Sequence, residues 1–130
     1  MIVDSSALVA VLNDEPRAQE LVTLMRDRSA AMSAATYVEA AVVVDARRDP
    51  ALSRQFDALL SKLGIAVVDV TPEMAAVARQ AYRDFGRGSG HAARLNFGDC
   101  FSYALAVVRD VPLLFVGDDF THTDVRAALR

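Results

Sequence analysis

The chain opens Met1-Ile2-Val3-Asp4-Ser5-Ser6-Ala7-Leu8. Two β-favouring residues lead to an acid, and small residues that suit a helix follow at once. The stretch predicts a short strand, Ile2-Val3, ending at Asp4, and a helix from Ser6 to Asn13. The same alternation continues outward. Pro16 to Arg28 reads as a helix with Asp14-Glu15-Pro16 as its start signal. Ala30 to Ser33 reads as a second strand and Thr36 to Arg48 as a helix. Val42-Val43-Val44 is β-branched, but Glu39-Ala40-Ala41 before it and Asp45-Ala46-Arg47 after it carry no turn signal, so helix is preferred. Asp49-Pro50 opens another helix through Leu63, closed by Gly64. Ile65 to Val70 is a third strand. Thr71-Pro72 starts a helix to Phe85. Asn96 to Asp110 holds a further helix, Leu113 to Val116 a fourth strand, and Asp124 to Leu129 a last helical turn or two. Short apolar strands separated by helices imply a parallel sheet covered on both faces, a three-layer α/β/α fold. In such folds the site lies beyond the carboxyl ends of the strands.

Composition sets limits. The 130 residues fit one domain spanning 1–130, and 53% hydrophobic content supports a core. No apolar run reaches the ~18 residues of a membrane span. No basic region followed by a long apolar stretch opens the chain, so no signal peptide is expected. Cys100 is alone, which excludes an internal disulfide and suits a reducing cytoplasm. The net charge of −3 argues against a nucleic-acid partner at first sight. However, Lys62 is the one lysine among 14 basic residues. Arginine offers the planar fork that grips phosphate, although a GC-rich genome enriches Arg equally well. Acids gathered at one site would also leave the rest of the surface less negative than the sum.

The strand-end rule directs attention to acids. Asp4 ends the first strand. Asp118 and Asp119 follow Leu113-Leu114-Phe115-Val116-Gly117. Asp99 lies near the start of the helix Gly98-Asp99-Cys100-Phe101-Ser102-Tyr103-Ala104-Leu105, and Glu39 lies inside an apolar helix. Each has a plain structural reading: Asp4 as a helix N-cap, Asp99 as an acid suited to a helix start, Glu39 facing water, and Asp118 and Asp119 as turn residues. Together they suggest more. Clustered carboxylates repel one another, and a divalent cation reverses that cost. Oxygen ligands without a His or Cys set point to Mg²⁺ or Mn²⁺ and to phosphoryl chemistry. His91, His122 and Cys100 lack the spacing of a zinc site. Gly88-Ser89-Gly90 is not a nucleophile elbow, and no phosphate-binding P-loop motif occurs.

The chain resembles the PIN-domain family, in particular the VapC-type toxins of bacterial toxin–antitoxin pairs. Four segments carry the resemblance: Met1 to Leu8, the helical Glu39, Leu95-Asn96-Phe97-Gly98-Asp99-Cys100-Phe101-Ser102-Tyr103-Ala104-Leu105-Ala106, and Leu113 to Phe120 followed by Thr123-Asp124-Val125. The resemblance implies a PIN-like domain and an endoribonuclease requiring Mg²⁺ or Mn²⁺. It also implies a homodimer silenced by a cognate VapB-type antitoxin. Carried over by position, Asp4 and Asp99 are the primary metal ligands, and Glu39 binds or orients a second metal or its water. Ser6 matches a small hydroxyl residue that supports the acids. The fourth acid is Asp118 or Asp119, with Asp118 favoured because it directly follows Gly117. Ser5 stands where many relatives have Thr.

The mechanism expected is in-line attack of a metal-activated water on an RNA phosphodiester, leaving a 5′ phosphate. RNA is expected to meet the basic, glycine-rich segment 83–94, with Arg87, His91 and Arg94 as the contacts and the glycines giving a mobile loop. Two rivals are a phosphatase with Asp4 as nucleophile, and a PIN-like module that binds RNA or protein without cutting. The phosphatase usually needs a second Asp two residues on, where Ser6 stands. The apolar faces Leu21, Leu24 and Met25, or Phe56, Leu59, Leu60 and Leu63, could meet a second subunit or the antitoxin, and are equally good core. A groove there could take an antitoxin helix, whose Arg could reach the carboxylates.

Overall fold

Four very short strands form the middle layer. The computed structural model describes all residues, Met1–Arg130. Strands β1 (Ile2–Val3), β2 (Ala31–Ser33), β3 (Ala66–Val68) and β4 (Leu113–Leu114) lie in the order β3-β2-β1-β4, all parallel. Ile2 pairs with Ala31 on one side and Leu113 on the other. Six helices surround them: α1 (Ser5–Leu12), α2 (Ala18–Asp27), α3 (Ala34–Asp45), α4 (Pro50–Leu63), α5 (Pro72–Phe85) and α6 (Phe97–Arg109). The expected three-layer α/β/α architecture is present.

Alternation along the strands divides the core in two. Ile2, Ala31 and Leu113 face α5 and α6, where they meet Met74, Ala78, Tyr103 and Leu105. Val3, Met32 and Leu114 face the other way, against Leu8 of α1, Leu21 and Met25 of α2, Ala40 of α3 and Phe56 of α4. A one-residue register slip would exchange these two sets. The apolar faces of α2 and α4 are therefore core. Leu21, Met25 and Phe56 are fully buried, and Leu24, Leu59, Leu60 and Leu63 pack against them. The large apolar side chains left in water lie elsewhere, among them Val38, Val42 and Val43 on α3, Tyr82 on α5 and Phe97 on α6.

Helix starts follow their caps. Asp49 accepts from the Ala51 N–H with Pro50 behind it, Thr71 accepts from the Met74 N–H, and Gly64 closes α4 at φ 61°. Valines 42–44 are in or at the end of a helix, as expected. Two expectations fail. Pro16 does not open α2, which begins at Ala18 without a side-chain cap. Its lead-in is a turn in which the Ala18 N–H donates to Glu15 O, with the Glu15 N–H tied back to Ala10 O. Nor do residues 124–129 form a helix. They run beside β4, where the Leu113 N–H donates to Arg126 O and the Ala128 N–H donates to Leu113 O, both at 2.8 Å. β4 is the edge strand, and its unpaired backbone groups give this tail better partners than one isolated helical turn would.

Candidate active site

Asp4 is placed by the centre of the sheet. Its N–H donates to Leu114 O at 2.9 Å, fixing it just beyond the ends of β1 and β4. It caps α1 as well: Oδ2 accepts from the Ser6 N–H (3.0 Å) and the Ser6 hydroxyl (2.7 Å). Ser6 Oγ accepts in turn from the Val116 N–H at 3.1 Å, which ties the segment after β4 to the same site. On the other carboxylate oxygen, Ser102 of α6 donates to Oδ1 at 2.5 Å. The Ser102 hydroxyl has one proton and gives it to Asp4. It therefore accepts from Thr36 at 3.2 Å, and Thr36 accepts from Ser33 at 2.9 Å. This buried relay orients an acid that is only 2% exposed.

Asp99 sits in the first turn of α6, in a reciprocal capping box. Its Oδ2 accepts from the Asn96 N–H, and Asn96 Oδ1 accepts from the Asp99 N–H, both at 2.9 Å. Burial raises the Asp99 pKa to about 7, against the opposing Asn96 bond; the charges of Asp4, Asp119 and Glu39 push the same way as burial. Glu39 is half-buried on α3. Burial raises its pKa above the usual range and the charge of Asp4 adds to this, while the Ser5 hydroxyl, donating to Oε1 at 2.6 Å, works in the opposite direction. The other Glu39 oxygen lies against Gly98, where an added Cβ would overlap the carboxylate. Asp118 and Asp119 are both exposed after Gly117. Asp119 is the one whose charge acts on Asp99, whereas the Asp118 carbonyl accepts the Thr121 N–H and hydroxyl in a turn.

Asp4 and Asp99 thus both take part in helix caps, and the charges of Asp4, Glu39 and Asp119 all act on Asp99. No arginine, lysine or histidine pairs with any of these acids. The ion pairs are Arg17–Glu20, Arg26–Asp27 and Arg126–Asp110, all on the surface. Oδ1 of Asp99 and Oε2 of Glu39 receive no protein donor. Uncompensated carboxylates with open oxygens fit a hard divalent cation. No three His, Cys, Asp or Glu side chains form a ready-made cage. Mg²⁺ needs no such cage, because it keeps several waters and takes one or two carboxylates plus substrate phosphate.

The basic segment is less open than its glycines suggest. Gly88 and Gly90 do adopt left-handed φ values of 87° and 82°. Yet the Arg87 N–H donates to Leu95 O and the Leu95 N–H to Phe85 O, while Ser89 donates to Gly86 O. With Ala93 and Leu95 buried, these bonds tie the segment to the end of α5. His91 is half-buried, its Nδ1 accepting the Ala93 N–H and its ring edge-on to Phe85 at 5.0 Å. Arg87 and Arg94 are exposed and carry no ion pair. Cys100 is buried core, and burial lifts its thiol to about 11, too high for a nucleophile.

Sequence reasoning missed Ser102, Thr36, Ser33, Ser5 and Gly98. Ser102 lies one helical turn after Asp99, so helical spacing alone could have paired them. A glycine in the first turn of a helix was the available signal for Gly98.

Residues 1–126 match the PIN domain family. The chain belongs to the PIN-domain family. Among PIN-domain proteins it is similar to ribonuclease VapC42 of Mycobacterium tuberculosis (strain ATCC 25618 / H37Rv), at 55% identity over 129 residues, 98% of each chain. It is also similar to ribonuclease VapC28 of the same strain, at 50% identity over 130 residues, 99% of this chain and 98% of that one. The PIN fold is seen in solved structures as well. The sarcin–ricin loop cleaving toxin VapC20 of M. tuberculosis superposes with TM-score 0.72 at 17% identity, covering 95% of both chains. VapBC2 from Rickettsia felis, bound to a DNA fragment from its promoter, gives TM-score 0.75 at 14% identity, covering 97% of this chain and 94% of that one. At these identities the structures speak for the PIN fold alone.

Proposed function

We propose that this PIN-domain protein is the toxin of a toxin–antitoxin pair and a divalent-metal-dependent endoribonuclease. The observation that carries the reading is the carboxylate cluster of Asp4, Glu39 and Asp99, without a cation partner, in a chain half identical to VapC ribonucleases. Mg²⁺ or Mn²⁺, when bound, supplies Lewis-acid polarisation of a phosphodiester and activation of water. The protein's own residues do the rest. Ser6 and Ser102 hold the Asp4 carboxylate in one orientation. Glu39 and Asp99 each offer an oxygen that no protein donor fills. Asp119, whose charge reaches Asp99, is a better fourth acid than Asp118, the reverse of the sequence expectation. Arg87 and Arg94, exposed and unpaired, are the stronger phosphate contacts, because the His91 Nδ1 is taken by its own loop.

Antitoxin control, a homodimer and a cytoplasmic site of action belong to the same proposal. A VapB-type antitoxin would inhibit by placing an arginine among the unpaired carboxylates. The exposed valines of α3 offer apolar surface to a second copy. No helix is long and apolar enough to cross a membrane. The phosphatase rival is disfavoured because both oxygens of Asp4 are held by hydroxyl donors and Ser6 occupies the place of a second acid. Induction of the chain in cells, followed by mapping of new 5′-phosphate RNA ends, tests the proposal. Discrete new ends absent with Asp4→Asn are expected; identical profiles for both chains would refute it.

A further inference from the structure

A second concave site lies beside the acids and is not used by them. Between α5 and α6 is a groove of about 530 Å³. Phe97 and Phe101 line one side, packed edge to face at 5.0 Å. Phe97 is 78% exposed, which is unusual for a large aromatic. Tyr82 lines the groove from α5, 47% exposed, with its hydroxyl donating to Arg87 O at 3.1 Å. Arg79 and Arg87 complete the lining. Neither forms an ion pair, and no acid lines the groove. Asn96 also lines it, and Asn96 is bonded in both directions to Asp99. The groove therefore shares a residue with the cap that holds the acidic cluster.

The chemistry specifies the occupant. Apolar side chains alone would suit many ligands, but here aromatic faces sit with two unpaired guanidinium groups. A flat ring carrying anions satisfies both at once, and a nucleotide of single-stranded RNA is such a group. The volume is in the range of pockets that enclose one small molecule. We propose that this groove takes one unstacked nucleobase of the RNA strand against Phe97, with the flanking phosphates on Arg79 and Arg87, and so fixes which nucleotide lies beside the carboxylates. The proposal rests on the ribonuclease reading. Phe97 then contacts the substrate's base and not the reacting atoms.

The test separates base from backbone. Binding of a labelled single-stranded oligouridylate, and of an abasic ribose-phosphate oligomer of the same length, is measured by fluorescence anisotropy in EDTA. Phe97→Ala should weaken oligouridylate binding by about 5- to 100-fold and leave the abasic oligomer unchanged. Arg79→Ala should weaken both alike and reduce their salt dependence. Removal of so exposed a side chain leaves no cavity, and circular dichroism checks the fold. Equal effects of Phe97→Ala on both oligomers, or none on either, would overturn the proposal. So would sedimentation showing that Phe97→Ala dissociates a dimer while both affinities fall together, because a second copy would then cover the groove. Cleavage in Mg²⁺ without base-selective binding refutes this inference alone. Base-selective binding without cleavage refutes the ribonuclease reading alone.

Discussion

At the scale of single residues, the acids are held in tension by the fold. Asp99 is 7% exposed, and its pKa rises to about 7 chiefly through burial. In the unfolded chain it titrates near 4. Between pH 4 and 7 the native state keeps a proton that the unfolded chain has lost, so rising pH favours unfolding across this window. The stabilisation is fully present below pH 4 and gone above pH 7. Metal-free protein should therefore become less stable from pH 4 to 7 through this group. Asp99→Asn should remove that part of the slope and be more stable than wild type at pH 7.5. The gain is on the order of 1–2 kcal/mol, less than the full shift implies because the cluster opens to water. Chemical denaturation across pH checks this; a variant less stable than wild type at pH 7.5 would contradict it. Gly98 presents the reverse case. Alanine is favoured over glycine in a helix by about 1 kcal/mol, but its Cβ would displace the Glu39 carboxylate. Gly98→Ala should lower cleavage at least tenfold while stability changes little. In a Glu39→Ala background the same change should become stabilising. Thermal unfolding of the four proteins in this cycle measures the coupling.

At the scale of elements, strands and helices were legible where local rules suffice. The Asp49-Pro50 and Thr71-Pro72 starts and the Gly64 stop were read from residues that act on their own backbone. The end of β1 and the start of α6 exposed Asp4 and Asp99 to inference for the same reason, whereas Glu39, inside α3, was marked by its apolar helix and by the family resemblance. What stayed hidden depends on contacts between distant segments. Ser102 reaches Asp4 across 98 positions, and no periodicity marks such a bond. The tail was misread because its helix-compatible residues, Val125 to Leu129, carry no trace of the edge strand that captures them. That capture is testable. Ala128→Pro removes the N–H that donates to Leu113 O. It should destabilise the protein by about 1–3 kcal/mol and lower Tm by several degrees. An unchanged Tm would show that the tail adds nothing to β4.

At the scale of the whole molecule, the ion pairs involve none of the acids at the site. A net charge of −3 argues against a nucleic-acid partner only at first sight, since the acids of the site meet no cation and unpaired arginines lie at the neighbouring groove. Two cores, one on each sheet face, bring α1, α3 and α6 to the same end of β1. Each of those helices contributes part of the acidic cluster: Ser6 beside Asp4, Glu39, and Asp99 with Ser102. The account stands or falls on whether that cluster cuts RNA with a bound cation. Single-turnover cleavage of labelled single-stranded RNA, in Mg²⁺ and in EDTA, by wild type and by folded Asp4→Asn, is the direct measurement. Cleavage by wild type in Mg²⁺, abolished by EDTA and reduced at least a hundredfold by Asp4→Asn, is the result predicted. Equal cleavage by the two proteins, or cleavage that persists in EDTA, would contradict it.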